Sequence, residues 1–337
     1  MIRIVEDKKT WNGLLSQMPE YDFYYTHEYH VSLVKTGEVP ILIHYQSEEK
    51  IVLFPFLKRD VDGRCFDLIS VHGYLGPIAN SGEVDIPAFQ AELMALLRSE
   101  NIVSVFTKLN PYLDGPLKLL NGLGQTEQVG ELIYYDQTED TATQLSKYSR
   151  TTGQRLRKLR RIAYVREVTS EQELDQFVSL YHENLDRLKA KDLYYFPKAY
   201  FKSLINSEIV DARALFAIDK ETEKIMGGAF CVGSRNVAQL EIVFTEEAYY
   251  NLSPVRLLYD ECRELFRSSI KYLNLGGGTG GREGSLMKFK ATFTQFYADY
   301  TVWKLTVLPE VYDSLQTKRQ RVIESSFFPK YRLPVNS

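Results

Sequence analysis

The sequence predicts an α+β protein of two tandem domains, each a mixed and mostly antiparallel sheet layered with helices. Three observations carry this expectation. At 337 residues, 44% hydrophobic and 25% charged, the chain has globular composition and more length than a single core needs. A strongly basic segment, 147–166, separates two halves of similar rhythm. In each half a run of neighbouring strands is followed by a helix and a further strand, the order expected when helices cover one face of a sheet.

The expected boundaries are a first domain at 1–146, a basic interdomain helix at 147–166 and a second domain at 167–337. In the first, Ile41 to Tyr45 and Lys50 to Leu57 read as a strand pair and Phe66 to Val71 as another strand. Ile86 to Ser99 has helical amphipathic spacing, and Ile102 to Thr107 is the strand after it. In the second, a helix at Glu171 to Leu188 precedes strands at Ala214 to Ile218, Ile225 to Val232 and Val237 to Thr245. A helix is expected from Pro254 to Ile270, with Val255, Leu258, Cys262, Leu265 and Ser269 on its buried face. Ser253 is placed as its N-cap and Pro254 as its first residue. Strand Tyr272 to Leu275, a short helix and a β-rich stretch at Tyr300 to Leu308 complete the order.

Composition excludes several classes. The longest apolar run, Ile51 to Leu57, falls far short of the roughly 20 residues that span a bilayer. Met1 to Trp11 places Glu6 and Asp7 before Lys8 and Lys9 with no apolar stretch after them, unlike a secretory signal, so a cytoplasmic protein is expected. Cys65, Cys231 and Cys262 lie far apart and read as buried free thiols rather than a disulfide framework. The five histidines form no HExxH pair, so no metal site is expected. A net charge of −3 argues against general adhesion to DNA.

The basic segment is the exception. Lys147, Arg150, Arg155, Arg157, Lys158, Arg160, Arg161 and Arg166 occur without an acidic residue, and Leu156, Leu159 and Ala163 recur at helical spacing among them. A helix with one buried stripe and a broad cationic face follows, either a solvated linker or a seat for phosphates. The run Gly276-Gly277-Gly278-Thr279-Gly280-Gly281 contains a literal G-x-G-x-x-G after a strand. Too little chain follows it for a doubly wound nucleotide fold, and Arg282-Glu283 replaces the Lys-Ser or Lys-Thr of a P-loop. A close backbone approach to a ligand remains as its expected use.

At these residues the sequence resembles the FemAB family. Tyr272-Leu-Asn-Leu-Gly-Gly-Gly278 followed by Ser285-Leu-Met-Lys-Phe-Lys290-Ala-Thr-Phe293 is similar to the family's closing Leu-Gly-Gly strand, its Ser-Leu and its Phe-Lys. The shorter FemX type, two tandem acetyltransferase-like (GNAT) domains without a coiled-coil arm, is the most similar. His72 to Pro77 resembles its Gly-Pro turn, Tyr148 to Arg161 its basic helix, and Phe196-Pro197-Lys198-Ala199-Tyr200-Phe201 its acceptor cleft. The resemblance implies an acyltransferase that uses aminoacyl-tRNA or acyl-CoA as co-substrate, with no further cofactor. The implied acceptor is a small-molecule amine on a nucleotide- or lipid-linked cell-wall precursor or a sugar.

The resemblance assigns Lys290 to stabilising charge in acyl transfer, with Phe289 as its aromatic neighbour, and Tyr200 and Phe196 to the acceptor. A fixed cation suits the oxyanion built when an amine attacks an ester or thioester. Gly276, Gly277, Gly278 and Ser253 are the candidate backbone contacts to substrate. Arg155, Arg157, Lys158 and Arg161 are the candidate phosphate contacts. Glu241, alternating with Leu240 and Ile242 in its strand, is the candidate general base. Two departures point to a changed acceptor: Phe196 stands where the FemX type has an arginine, and its first-domain lysine is replaced near Val31. The other function class is a catalytically silent GNAT-like module that binds a phosphorylated sugar or RNA.

Overall fold

A computed structural model describes residues 1–267, 269–278, 284–318 and 327–333. The chain forms two compact units, one of Met1–Val129 with Asp299–Ser337 and one of Gly130–Ala298.

The first unit begins with β1 (Ile2–Val5), α1 (Lys8–Leu15) and α2 (His27–Leu33). The antiparallel strands β2 (Glu38–Ser47), β3 (Lys50–Asp60) and β4 (Phe66–Ile69) follow, with the short β5 (Ile78–Ala79) paired to β3. Next come α3 (Ile86–Ser99), β6 (Ile102–Lys108) parallel to β4, α4 (Gly115–Leu120) and β7 (Gln125–Asp136). Local chemistry starts these helices. Asp7 accepts from the Thr10 amide at 2.9 Å and Asp85 from the Ala88 amide at 3.0 Å, each satisfying an orphan N–H of a first turn. Helix α3 turns Phe89, Leu93 and Leu97 onto Tyr45, Phe54, Phe56 and Trp303 of the sheet.

The second half of the chain repeats the order. After α5 (Thr141–Ser146) and α6 (Arg150–Ile162) come β8 (Ala163–Glu167), α7 (Glu171–Arg187) and α8 (Lys198–Ile205). The antiparallel strands β9 (Asp211–Asp219), β10 (Ile225–Gly233) and β11 (Asn236–Thr245) follow. Then come α9 (Val255–Leu265), β12 (Ile270–Gly276) parallel to β11, α10 (Ser285–Lys290) and β13 (Phe296–Thr306); α11 (Pro309–Lys318) comes last. Ser170 and Glu173 form a reciprocal capping box at the start of α7. Leu156 and Leu159 of α6 and Leu257, Leu258 and Cys262 of α9 share one core with the sheet.

Both units are therefore mixed, mostly antiparallel sheets covered by helices. The compact units do not divide at 146 and 167, however. Residues 133–136 of β7 pair with β12 in the second unit, while residues 302–306 of β13 pair with β6 in the first. Each half of the chain thus lends its last strand to the other half's sheet, so the boundaries fall within those strands. The basic segment is part of the second unit, and its helix ends at Ile162; Ala163 is buried but begins β8, which pairs with β9. Helix α9 ends at Leu265, short of the expected Ile270. Cys231 of β10 and Cys262 of α9 are buried as expected but are joined in a disulfide, their Cα atoms 6.8 Å apart. Packing of that helix on that strand brings together thiols separated by 31 residues.

Candidate active site

The parallel ladder of β11 and β12 runs from Asn236–Ile270 to Gln239–Asn274 and stops there, although both strands continue. Its last rung is reinforced: the Asn274 amide donates to Gln239 Oε1 at 2.7 Å, and the Gly276 N–H donates to Asn274 Oδ1 at 2.8 Å. On the other side, β11 stays paired to β10, but Phe230 faces Ile242 and Cys231 faces Leu240. Glu241 is thus the extra residue of a β-bulge, a device that re-aims one side chain out of the ladder. The candidate base and the glycine run lie on neighbouring strands just beyond the point where those strands stop pairing.

Lys290, at the end of α10, is not a surface lysine. It is 8% exposed, and its Nζ donates to the Gly277 carbonyl at 2.9 Å. Burial alone pulls its pKa from the usual 10.5 to about 8, because an ammonium taken out of water loses hydration that one carbonyl only partly replaces. Gly276 takes a left-handed φ of +76°, and a Cβ on it would sit 3.0 Å from the lysine Nζ. A Cβ on Gly277 would lie 2.7 Å from the Glu131 carbonyl of β7. The first two glycines are therefore required by a turn and a close approach inside the unit. Gly278 ends the described stretch, and Thr279, Gly280 and Gly281 lie outside the described residues.

Glu241 acts electrostatically on Tyr181 and Tyr200. Burial first, then this carboxylate, raises the pKa of both phenols. Tyr200 is fully buried, stacked on Phe196 with ring centroids 4.3 Å apart and edge-on to Phe201. The expected acceptor residues are thus brought to the carboxylate but packed as a core cluster. Over them, the Tyr181 hydroxyl donates to the Tyr194 carbonyl, and a His182 ring nitrogen lies 2.9 Å from the Phe196 carbonyl.

The basic helix splits into two sets. Lys147 pairs with Glu139, Arg160 with Asp260 and Arg166 with Glu173. Arg150, Arg155, Arg157, Lys158 and Arg161 are exposed and have no ion pair among the described residues. Ser253 does not cap α9 with its side chain. It adopts φ +55°, and its carbonyl accepts from the Arg256 amide at 3.1 Å; Pro254 occupies the cap position without a side-chain bond.

Sequence reasoning missed a polar stripe on α9. Arg256, Tyr259, Asp260 and Arg263 are buried, whereas Leu265 is 38% exposed. Asp260 accepts from Tyr148 Oη at 2.7 Å and from Arg263 Nη2 at 3.1 Å, besides its pair with Arg160. The available signal was the i, i+3, i+4, i+7 spacing of these four polar residues, the same that marks an apolar face.

Residues 146–285 match the family described as acetyltransferase (GNAT) domain. These residues form a GNAT acyltransferase domain. The whole chain superposes on the crystal structure of FemX with a TM-score of 0.71 at 11% identity, covering 93% of this chain and 99% of that one. The C-terminal domain of a putative lysylphosphatidylglycerol synthetase from Agrobacterium fabrum gives 0.56 at 15% identity, covering 92% and 96%. The L-PGS structure from Bacillus licheniformis gives 0.57 at 12%, covering 89% and 92%. At these identities the likeness is one of fold, and the chain has the FemX-like fold along nearly its whole length. Comparison with curated proteins finds no matching relative. Among the described residues no helix is long and apolar enough to cross a membrane, and no group of three or more His, Cys, Asp or Glu is placed to hold a metal ion.

Proposed function

We propose that the chain transfers an acyl or aminoacyl group from aminoacyl-tRNA or acyl-CoA to the amine of a nucleotide- or lipid-linked cell-envelope precursor or a sugar, in the cytoplasm where such donors are made. The observation that carries the reading is Lys290, a buried cation with no carboxylate partner among the described residues, fixed on the Gly277 carbonyl beside the parted strands. A fold does not bury an ammonium for stability; it serves where negative charge develops during a reaction.

In the proposed step the amine lone pair attacks the donor carbonyl carbon and a C–N bond forms. The carbonyl electrons move to oxygen, and Lys290 Nζ faces that oxyanion. Collapse breaks the C–O bond of an aminoacyl ester or the C–S bond of a thioester. The surplus amine proton passes to Glu241 and from there to the leaving oxygen or sulfur. The donor is a co-substrate, so the balance needs no resident cofactor.

Five exposed cations on α6 with no carboxylate partner among the described residues favour a long phosphate track, hence the tRNA donor. The solved relatives named FemX and lysylphosphatidylglycerol synthetase support an envelope acceptor. The test is turnover of a panel of aminoacyl-tRNAs and acyl-CoAs with amine acceptors. Turnover that falls about a hundredfold in Lys290→Ala supports the proposal. Saturable binding of a phosphorylated sugar or RNA with no turnover would replace it with a silent binding module.

A further inference from the structure

Arg256 lies in the first turn of α9 with 8% of its surface exposed, and no carboxylate pairs with it among the described residues. It reaches two other elements instead. Its Nη1 donates to Thr152 Oγ1 of α6 at 2.5 Å and to Thr292 Oγ1, just after α10, at 3.3 Å. Its guanidinium lies 4.6 Å from the centre of the Phe289 ring and 5.7 Å from that of Phe293. The two threonine hydroxyls bond each other at 2.8 Å, and the Ser149 N–H donates to the Thr292 carbonyl at 2.8 Å. Among the described residues every hydrogen-bond and ring partner of its side chain thus belongs to the start of the basic helix or to the Phe289–Phe293 segment that carries Lys290. Its Nε is buried with no hydrogen-bond acceptor among the described residues, and burial and Arg155 lower its pKa.

A cation held dry, beside another cation and with one N–H unsatisfied, is a poor choice for stability alone. A planar, always-charged group that stacks on a ring while donating sideways is a good choice for fixing a helix at a set angle. We infer that Arg256 is a positioning residue for acyl transfer, clamping the Lys290 helix against α6 and α9 so that water stays off the lysine. This rests on the catalytic reading of Lys290 for its consequence but not for its geometry. Among the described residues, Tyr259 of α9 packs on Phe289 and Phe293, Tyr148 packs on Phe293 and bonds Asp260, and Arg155 acts on Arg256; burial is nevertheless the cause of the lowered Lys290 pKa.

The test compares wild type, Arg256→Met and Arg256→Lys on the full chain, with two readouts. The first is the rate at which an amine-acylating reagent labels Lys290 as a function of pH, followed by peptide mass spectrometry, which needs no substrate. Opening the corner to water should move the Lys290 midpoint in Arg256→Met upward from about 8 by about half a unit or more and speed labelling several-fold near the new midpoint. Arg256→Lys, which keeps the charge without the planar stack, should fall between. The second readout is kcat and KM with whatever donor and acceptor pair turns over: kcat should drop about tenfold or more with KM within about twofold. An unchanged Lys290 midpoint in a folded Arg256→Met chain would overturn the inference, whether or not any substrate has been found. So would kcat per folded molecule equal to wild type. A moved midpoint in a chain that turns over nothing would uphold the clamp and count against the acyltransferase reading alone.

Discussion

Replacing Lys290 by methionine should make the protein more stable and far less active at neutral pH. A fall from an ordinary lysine's 10.5 to about 8, at about 1.4 kcal/mol for each unit, means that keeping the ammonium charged in the fold costs about 3–4 kcal/mol. The hydrogen bond to the Gly277 carbonyl, absent from the variant, returns roughly 1 kcal/mol. Methionine fills a similar volume without charge, so Lys290→Met should gain about 2–3 kcal/mol below pH 8. The sign follows from linkage. With the folded pKa below the unfolded one, the unfolded chain binds more protons between about 8 and 10.5, so wild-type stability rises with pH through that window. The variant lacks this rise, and its advantage should vanish by about pH 10. Chemical denaturation at pH 6, 7, 8, 9 and 10 measures both curves. Turnover should fall about a hundredfold or more, the scale of losing an oxyanion-stabilising group. A variant less stable than wild type by the same amount at every pH would refute the reasoning, because it would mean that the lysine is a packing group and not a desolvated charge.

Other outcomes follow from the same structure. Glu241→Gln should keep the bulge and the fold while lowering turnover by about 10²-fold or more; an unchanged rate would remove it as the base. Changing Arg157, Lys158 and Arg161 to Gln should leave thermal stability nearly unaltered, because these cations are exposed and unpaired among the described residues. It should also reduce the salt dependence of donor binding by about one for each phosphate that the helix no longer neutralises; an unchanged slope would make α6 a structural helix only. Arg263→Met strips the fully buried Asp260 of its buried partner and should destabilise the second unit by about 3–5 kcal/mol, read by denaturant midpoint. Gly276→Ala combines a strained φ of +76° with a Cβ 3.0 Å from Lys290 Nζ and should lower kcat more than it lowers Tm. A full-rate Gly276→Ala would show that the lysine has room to move.

The sequence by itself was enough for the layered α+β class, most of the strands, α3 at its two ends, and the Phe-Lys segment with Lys290 as the residue to watch. Those features are written locally: period-two alternation, period-3.6 stripes, and a motif whose residues sit side by side along the chain. Tertiary structure decided everything that depends on partners distant in sequence. The strands exchanged between the two halves of the chain are invisible locally, because any apolar strand reads alike whichever sheet receives it. The same limit hid the disulfide and the bulge at Glu241, which exists only against the register of β10. It also hid the division of the basic helix into paired and unpaired cations, since Asp260 lies 100 residues from Arg160. Hydrophobic patterning turned Leu258 and Cys262 of α9 inward as the structure does, but it missed the buried polar stripe beside them, because patterning treats a charge as an outward signal. Arg256, Asp260 and Arg263 are inside since the fold supplies hydroxyls, rings and opposite charges that water would otherwise have to replace, and no property of the residues alone says that those partners will be there.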